Sequence, residues 1–359
     1  MTKCFLVLED GTIVEGTGFG SEHTVFGEVV FNTGMTGYQE GLTDPSYRGQ
    51  ILIMAYPLIG NYGVNHTDFE SDKVQVTGYA VREKCGEPSG MYGGEKLDSF
   101  LKRRHVPGIS ELDTRALIIQ IREKGTPRGA ICFEEDDLDK VLKKVQTMPF
   151  PSESNLVDEC STKKVLAYPK EGAREVVLID CGTKLNIVRE LVKRFSLTIV
   201  PYDTPASWFR DREVDGVVIS NGPGDPAHPI IQDTTVKTLR AIREDHPILG
   251  VCFGNQLIAH AFGGSTYKLK FGHRGVNQPV KYEGKVFITS QNHGFAVDPT
   301  TLPDELEVSM KNVNDGTVEG LRHKELPIFS SQFHPEASPG PKDTSFLFDE
   351  FARKMEARK

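Results

Sequence analysis

The sequence predicts an α/β protein in two parts: an N-terminal β-rich α/β domain, then a domain with a mixed, mostly parallel central sheet flanked by helices. Three observations predict it. The chain has 359 residues, more than a single domain of roughly 150 residues needs. Short apolar runs and turn signals crowd the first part, whereas in the second part short apolar runs alternate with helical patterns, as in a parallel sheet covered on both faces. Between them, a stretch with Pro149, Pro151 and Pro169 lacks sustained periodicity. The expected division is residues 1–150, a linker at 151–172, and 173–359.

In the first part, residues 5–8 and 12–14 read as strands around the Asp10-Gly11 turn. Residues 25–30 and 50–56 are further strand candidates, and the long polar interval between them is more than a connector needs, suggesting a binding or interface loop. Leu112, Ala116, Ile119 and Ile121 lie in a helix candidate with Ser110 as its cap and Asp113 three positions on; a second helix covers 138–145. In the second part, 176–179, 197–200, 214–219 and 248–251 read as strands, and 186–195, 231–242 and 256–262 as helices. After Gly263-Gly264 the rhythm changes to short strands at 275–280, 286–289, 306–310, 317–321 and 328–331, an antiparallel or mixed extension. Phe346, Leu347, Phe351 and Met355 are helically spaced within 344–357, a terminal helix expected to pack on the sheet.

Composition narrows the function classes. With Lys+Arg 42 against Asp+Glu 50 and a net charge of -8, nothing draws the whole molecule to a phosphate backbone, so no nucleic-acid partner is expected. No apolar stretch approaches the ~18 residues of a bilayer span, and the start MTKCFLVLEDG turns acidic too early for a signal peptide. No membrane is expected, and the six cysteines, lacking CxxC spacing, fit a reducing cytoplasm. The Asn65-His66-Thr67 sequon reads as chance in that compartment.

The strongest chemical signal is PILGVCFGNQ. An apolar strand delivers Cys252 to a tight turn, Gly254 permits close approach, and a helix follows. This is the pattern of a nucleophile elbow, and a helix N-terminus favours the thiolate that must attack. A cysteine there can also be simply a buried small hydrophobe. An amide-cleaving cysteine needs a base held by a third group. SSQFHPE supplies His334 and Glu336 two positions apart after a strand, making Cys252, His334 and Glu336 a candidate triad. SNGPGDP carries another strand into a stiff glycine-bearing loop whose N–H groups suit an oxyanion; it lacks the Walker ending of a phosphate cradle.

Together PILGVCFGNQ, SNGPGDP and FHPE resemble the class I, triad-type glutamine amidotransferases. The whole chain further resembles the family of small, glutamine-hydrolysing subunits of carbamoyl-phosphate synthases, through FNTGMTGYQEGLTDPSYRGQ, YPLIGNYGVN, IDCGTKLNIVREL, GHRGVNQPV, SQNHGFAV and SSQFHPEASPGP. The resemblance implies a class I glutamine amidotransferase domain at 173–359 and, before it, a domain that associates with the synthetase subunit. It implies Cys252 as nucleophile, His334 as general base and acid, and Glu336 as the residue orienting His334. Glutamine binding is implied for Ser46, Gly222, Gly224, Phe253, Gln256, Asn292, Gly294 and Phe295, with the N–H groups of Gly222 and Phe253 on the oxyanion. The implied partner is the large subunit, which uses ATP, with its divalent metal, and bicarbonate to make carbamoyl phosphate for arginine and pyrimidine synthesis. No cofactor or metal is expected in this chain, and His273 and His293 are given structural or secondary roles.

Two positions depart from the family pattern. Histidine is common where this chain has Asn255, and leucine where it has Phe253. Two rivals stand beside this reading: an amidotransferase feeding another synthase, against which the first-domain motifs argue, and a scaffolding subunit whose triad is unused.

Overall fold

The computed structural model describes residues 2–90, 93–134 and 136–357. The chain divides into two compact units, Met1–Ser154 and Asn155–Lys359. The first contains β1 (Lys3–Leu8), β2 (Ile13–Gly20), β3 (Val25–Asn32), β4 (Gln50–Met54), β5 (Leu58–Ile59), β6 (Gly78–Ala80), β7 (Glu83–Lys84), β8 (Pro107–Ser110) and β9 (Arg128–Phe133). Strands in the order β1-β2-β8-β6-β4-β3-β9 close into a barrel, while β5 and β7 pair separately. Closure removes the open edges that unpaired strands would expose.

The turn between β1 and β2 is built as its Asp-Gly signal requires. Gly11 takes φ +88°, and Leu8 and Thr12 bond across it at 2.8 Å. The long polar interval before β4 has a topological reason: β3 and β4 are parallel, so the chain must cross over between them. It does so through a helix at Tyr38–Thr43 and a tight turn at Pro45–Tyr47, burying Tyr38, Leu42 and Tyr47. Ser110 is not the cap expected of the next helix. It ends β8 with its Oγ donating to Thr17 O at 3.1 Å, and Asp113 caps the helix Thr114–Lys124 by accepting from Ala116 N–H at 3.0 Å.

The second unit is organised by β10 (Leu166–Tyr168), β11 (Glu175–Asp180), β12 (Ser196–Pro201), β13 (Gly216–Ile219), β14 (Ile248–Val251), β15 (Thr266–Tyr282), β16 (Lys285–Val297), β17 (Leu306–Asn312), β18 (Val318–His323) and β19 (Ile328–Ser331). They form one sheet in the order β10-β12-β11-β13-β14-β19-β18-β17-β15-β16. The run β12-β11-β13-β14-β19 is parallel, and the strands from β18 to β16 pair antiparallel. Part of the interval read as linker therefore belongs to this unit: a helix at Leu156–Cys160, and β10 paired antiparallel with β12.

Alternating residues of the parallel strands bury into two cores. Val177, Ile179, Val217 and Ile219 face one, shared with Leu257 and Ile258 of the helix Phe253–Ala261. Val176, Leu178, Val218 and Leu249 face the other, shared with Leu191 and with Phe348 and Phe351 of the terminal helix Phe346–Ala357. Gly216 in β13 explains how that helix sits so close: a Cβ there would lie 2.6 Å from Met355 Sδ and 2.7 Å from the Phe351 ring. The separate short strands expected at 275–280 and 286–289 are the central parts of a long hairpin, β15 with β16, interrupted by register shifts at Lys268/His273 and Gly275/Gln278.

Candidate active site

Four parallel strands, β11, β13, β14 and β19, end at the same edge of the sheet, where ligands bind in open α/β folds. Cys252 follows β14 directly and precedes the helix Phe253–Ala261. Its backbone sits at φ 54°, ψ −97°, a conformation costing an L-residue about 1–3 kcal/mol and retained only where the surroundings impose it. The surroundings do so by close packing. A Cβ on Gly254 would lie 2.4 Å from Ile219 O, and one on Gly250 would lie 2.6 Å from Gly254. Gly254 N–H donates to Ser220 O at 3.1 Å, and Cys252 N–H to Ser331 O at 2.7 Å, tying the turn to the ends of β13 and β19.

His334 and Glu336 arrive from the segment after β19. His334 N–H bonds Ser290 O of β16 at 2.9 Å, and its Nδ1–H donates to Glu336 Oε1 at 2.7 Å. That contact fixes the ring so that Nε2 points away from the carboxylate. Nε2 is buried and makes no hydrogen bond of normal geometry among the described residues. A third charge completes the group: Lys184 Nζ donates to Glu336 Oε1 at 3.0 Å and to Ala337 O at 2.8 Å. All three side chains are buried, so each depends on the others for charge balance.

Burial by itself would lower the His334 pKa, but the Glu336 carboxylate outweighs it and the neighbouring Cys252 adds to the effect, raising it to about 10. Burial pushes the Glu336 carboxyl up, while Lys184 and then His334 pull it down to about 2. At neutral pH the pair is thus imidazolium and carboxylate.

The remaining sequence-predicted residues fall into three groups. Gly222 and Gly224 lie in the loop after β13, where Gly224 takes φ +87° and a Cβ on Gly222 would lie 2.4 Å from Cys181 O. Phe253 and Gln256 are buried on the nucleophile helix, and Asn292, Gly294 and Phe295 lie on β16. Contacts join these segments: Cys252 Sγ is 3.7 Å from Asn292 O, and Gln256 Nε2 donates to Phe295 O at 2.8 Å. Ser46 belongs to the first unit, buried in the turn Pro45–Tyr47 with its N–H on Asp44 Oδ1.

Lys184 was not among the residues assigned a role from the sequence. Its segment, IDCGTKLN, marks only a strand running into a helix, and its partner Glu336 lies 152 residues further on. Gln332 was also passed over: it is fully buried, with Nε2 3.7 Å from Cys252 Sγ. His273, His293 and Glu319 bring metal-ligand atoms within 4.8 Å of one another. However, His273 Nε2 donates to Asp315 at 2.9 Å and Nδ1 lies 3.5 Å from Glu319. Burial opposes its charge, but Glu319 and Asp315 raise its pKa, and it keeps the proton a metal would have to displace.

Comparison with known proteins agrees with this layout. Residues 177–354 match the family model of class-I glutamine amidotransferases, and residues 6–131 match that of the carbamoyl-phosphate synthase small chain, CPSase domain. The carbamoyl phosphate synthase small chain of Archaeoglobus fulgidus is 52% identical over 352 residues, 97% of this chain and 98% of that one. Those of Methanocaldococcus jannaschii and Listeria monocytogenes are 51% and 48% identical, covering 98% and 100% of this chain and 98% of each relative. A resemblance resting on short motifs thus extends over both units, and the chain belongs to the carbamoyl phosphate synthase small chain family, with a class-I glutamine amidotransferase domain as its second part.

Proposed function

We propose that this enzyme hydrolyses glutamine through a thioester on Cys252 and delivers the ammonia to a carbamoyl-phosphate synthase large subunit. The observation that carries the reading is the strained Cys252 elbow in the same buried site as the His334–Glu336 pair. The Cys252 thiolate attacks the side-chain carbonyl carbon of glutamine, forming a C–S bond and an oxyanion. The N–H groups of Gly222 and Phe253, which have no acceptor among the described residues, suit that oxyanion. His334 gives its Nε2 proton to the departing nitrogen as the C–N bond breaks, then takes one from the water that cleaves the thioester to glutamate.

Glu336, held by Lys184, keeps the imidazole oriented and charged. Gly224, Gln256, Asn292, Gly294 and Phe295 surround the glutamine side of the nucleophile, and Ser46 is carried by family resemblance alone. The first unit associates with the large subunit, which supplies the ATP chemistry and its divalent metal and makes carbamoyl phosphate from bicarbonate and ammonia for arginine and pyrimidine synthesis. Partner binding reorients the Cys252 turn and the His334 segment, limiting glutamine hydrolysis without an acceptor.

The test is carbamoyl phosphate synthesis by the reconstituted pair with Cys252→Ser. Glutamine-dependent synthesis is expected to vanish while ammonia-dependent synthesis persists. Loss of both in an assembled complex contradicts the division of labour, and retained glutamine use contradicts Cys252 as nucleophile.

A further inference from the structure

Cys252 Sγ meets a second polar chain that the triad does not use, and its hydrogen-bond directions are determined from one end to the other. Leu321 N–H donates to Ser330 Oγ at 3.2 Å, so the hydroxyl proton of Ser330 is free to go to Asn255 Oδ1 at 2.8 Å. Asn255 therefore turns its NH2 toward Gln332 Oε1, 2.9 Å away. Gln256 Nε2 donates to the same oxygen at 3.2 Å. With its oxygen held by two donors, Gln332 presents Nε2–H to Cys252 Sγ at 3.7 Å. Ser330, Asn255 and Gln332 are wholly buried, so no solvent competes for these bonds.

Resting on the reading of Cys252 as nucleophile, we propose that Gln332 is a further catalytic residue, donating a hydrogen bond to the reacting sulfur, and that Asn255 is the positioning residue that decides which end of the Gln332 amide faces it. A donor to sulfur binds the anion more strongly than the thiol, so it favours the attacking form. The opposite neighbour of the sulfur, Asn292 O, is an acceptor and cannot do this. The chain also explains Asn255, where the family commonly has histidine. Position 255 needs one acceptor for Ser330 and one donor for Gln332, and asparagine and neutral histidine each supply both.

The measurement is the rate at which iodoacetamide alkylates Cys252 in the full chain as a function of pH, located by peptide mapping, with glutamine hydrolysis assayed alongside. Gln332→Leu removes the donor, Gln332→Glu replaces it with an anion, and Asn255→Asp removes the donor that holds the amide. In all three, alkylation at neutral pH is expected to slow by about tenfold or more, with the profile displaced to higher pH. The kcat for glutamine should fall further than KM changes. Asn255→His should retain wild-type behaviour within about threefold, since it restores both bonds. If the Gln332 variants fail to fold, the contrast between Asn255→Asp and Asn255→His decides. Variants that melt like wild type and keep its alkylation profile overturn the proposal. That result beside an inactive Cys252→Ser removes only the role of Gln332, whereas an active Cys252→Ser removes the reading beneath it.

Discussion

The two units solve the problem of sheet edges differently, and their chemistry follows. The barrel of the first unit closes β1 onto β9, so its strands leave no open ends of the sheet where several loops converge on one side by topology alone. Its buried polar residues Asp44, Ser46, Glu70 and Gln75 lie outside the barrel strands, in long connections. The second unit keeps an open sheet. Its parallel β11, β13, β14 and β19 release their chains at one edge, and from these four ends come Lys184, Gly222, Cys252 and His334. The difference is one of convergence: chemistry that needs several groups at one point is easier to build where strands run the same way.

The sharpest test of that convergence is His334→Asn. General acid and base catalysis disappears, and glutamine hydrolysis should fall by about 10²–10⁴-fold with the fold retained, measured as kcat beside a melting curve. An unchanged kcat would remove His334 from the mechanism.

Lys184→Met should rank next. Leaving Glu336 and His334 buried without their cation costs about 3–5 kcal/mol of stability by analogy with other broken buried pairs. It should also alter pH dependence. Glu336, with an ordinary pKa of 4.5, is held at about 2, so its contribution to stability is present above 4.5 and lost as pH falls toward 2. His334, with an ordinary pKa of 6.5, is raised to about 10, so its contribution is full below 6.5 and lost as pH rises toward 10. Wild type should therefore gain most from this pair between 4.5 and 6.5. In Lys184→Met the acid limb should move up, because the largest force lowering the Glu336 pKa is gone. An acid limb identical to wild type would contradict the assigned role of Lys184.

Two variants in the first unit test the other side of the comparison. In Gly129→Ala the new Cβ would lie 2.5 Å from Val29 Cγ2 and 2.9 Å from Val7 O. The barrel should lose about 1–3 kcal/mol, read from denaturant unfolding, while alkylation of Cys252 in the folded protein is unchanged. Asp113→Ala, which removes only the cap on Thr114–Lys124, should cost about 1 kcal/mol and leave the same reactivity intact. A large change in Cys252 reactivity from either would mean that the chemistry is not contained in the second unit.

What could be read from the sequence follows the range of the interactions. The elbow was legible because a strand, Cys252, Gly254 and a helix are contiguous, and His334 with Glu336 was legible because the two residues are nearly adjacent. Lys184 was not, since nothing near it in the chain says that its ammonium will be buried against a carboxylate from beyond β19. The role of Gln332 was hidden for the same reason: its amide is oriented by Asn255 and Gln256, some 76 to 77 residues earlier. Barrel closure rests on equally distant pairs, such as Thr17 with Ser110 and Val25 with Ile131. The β15–β16 hairpin was seen only in part because the polar GHRG and QNHG segments break the apolar alternation that marks a strand.

The central claim is that glutamine passes through a thioester on Cys252, and rapid acid quenching during turnover tests it most directly. Mass spectrometry of the digested protein should find a γ-glutamyl adduct on the Cys252 peptide, absent from Cys252→Ser and increased in the steady state when thioester hydrolysis is slowed. Turnover of glutamine by the wild-type protein with the adduct on another residue, or undiminished turnover by Cys252→Ser, would contradict it.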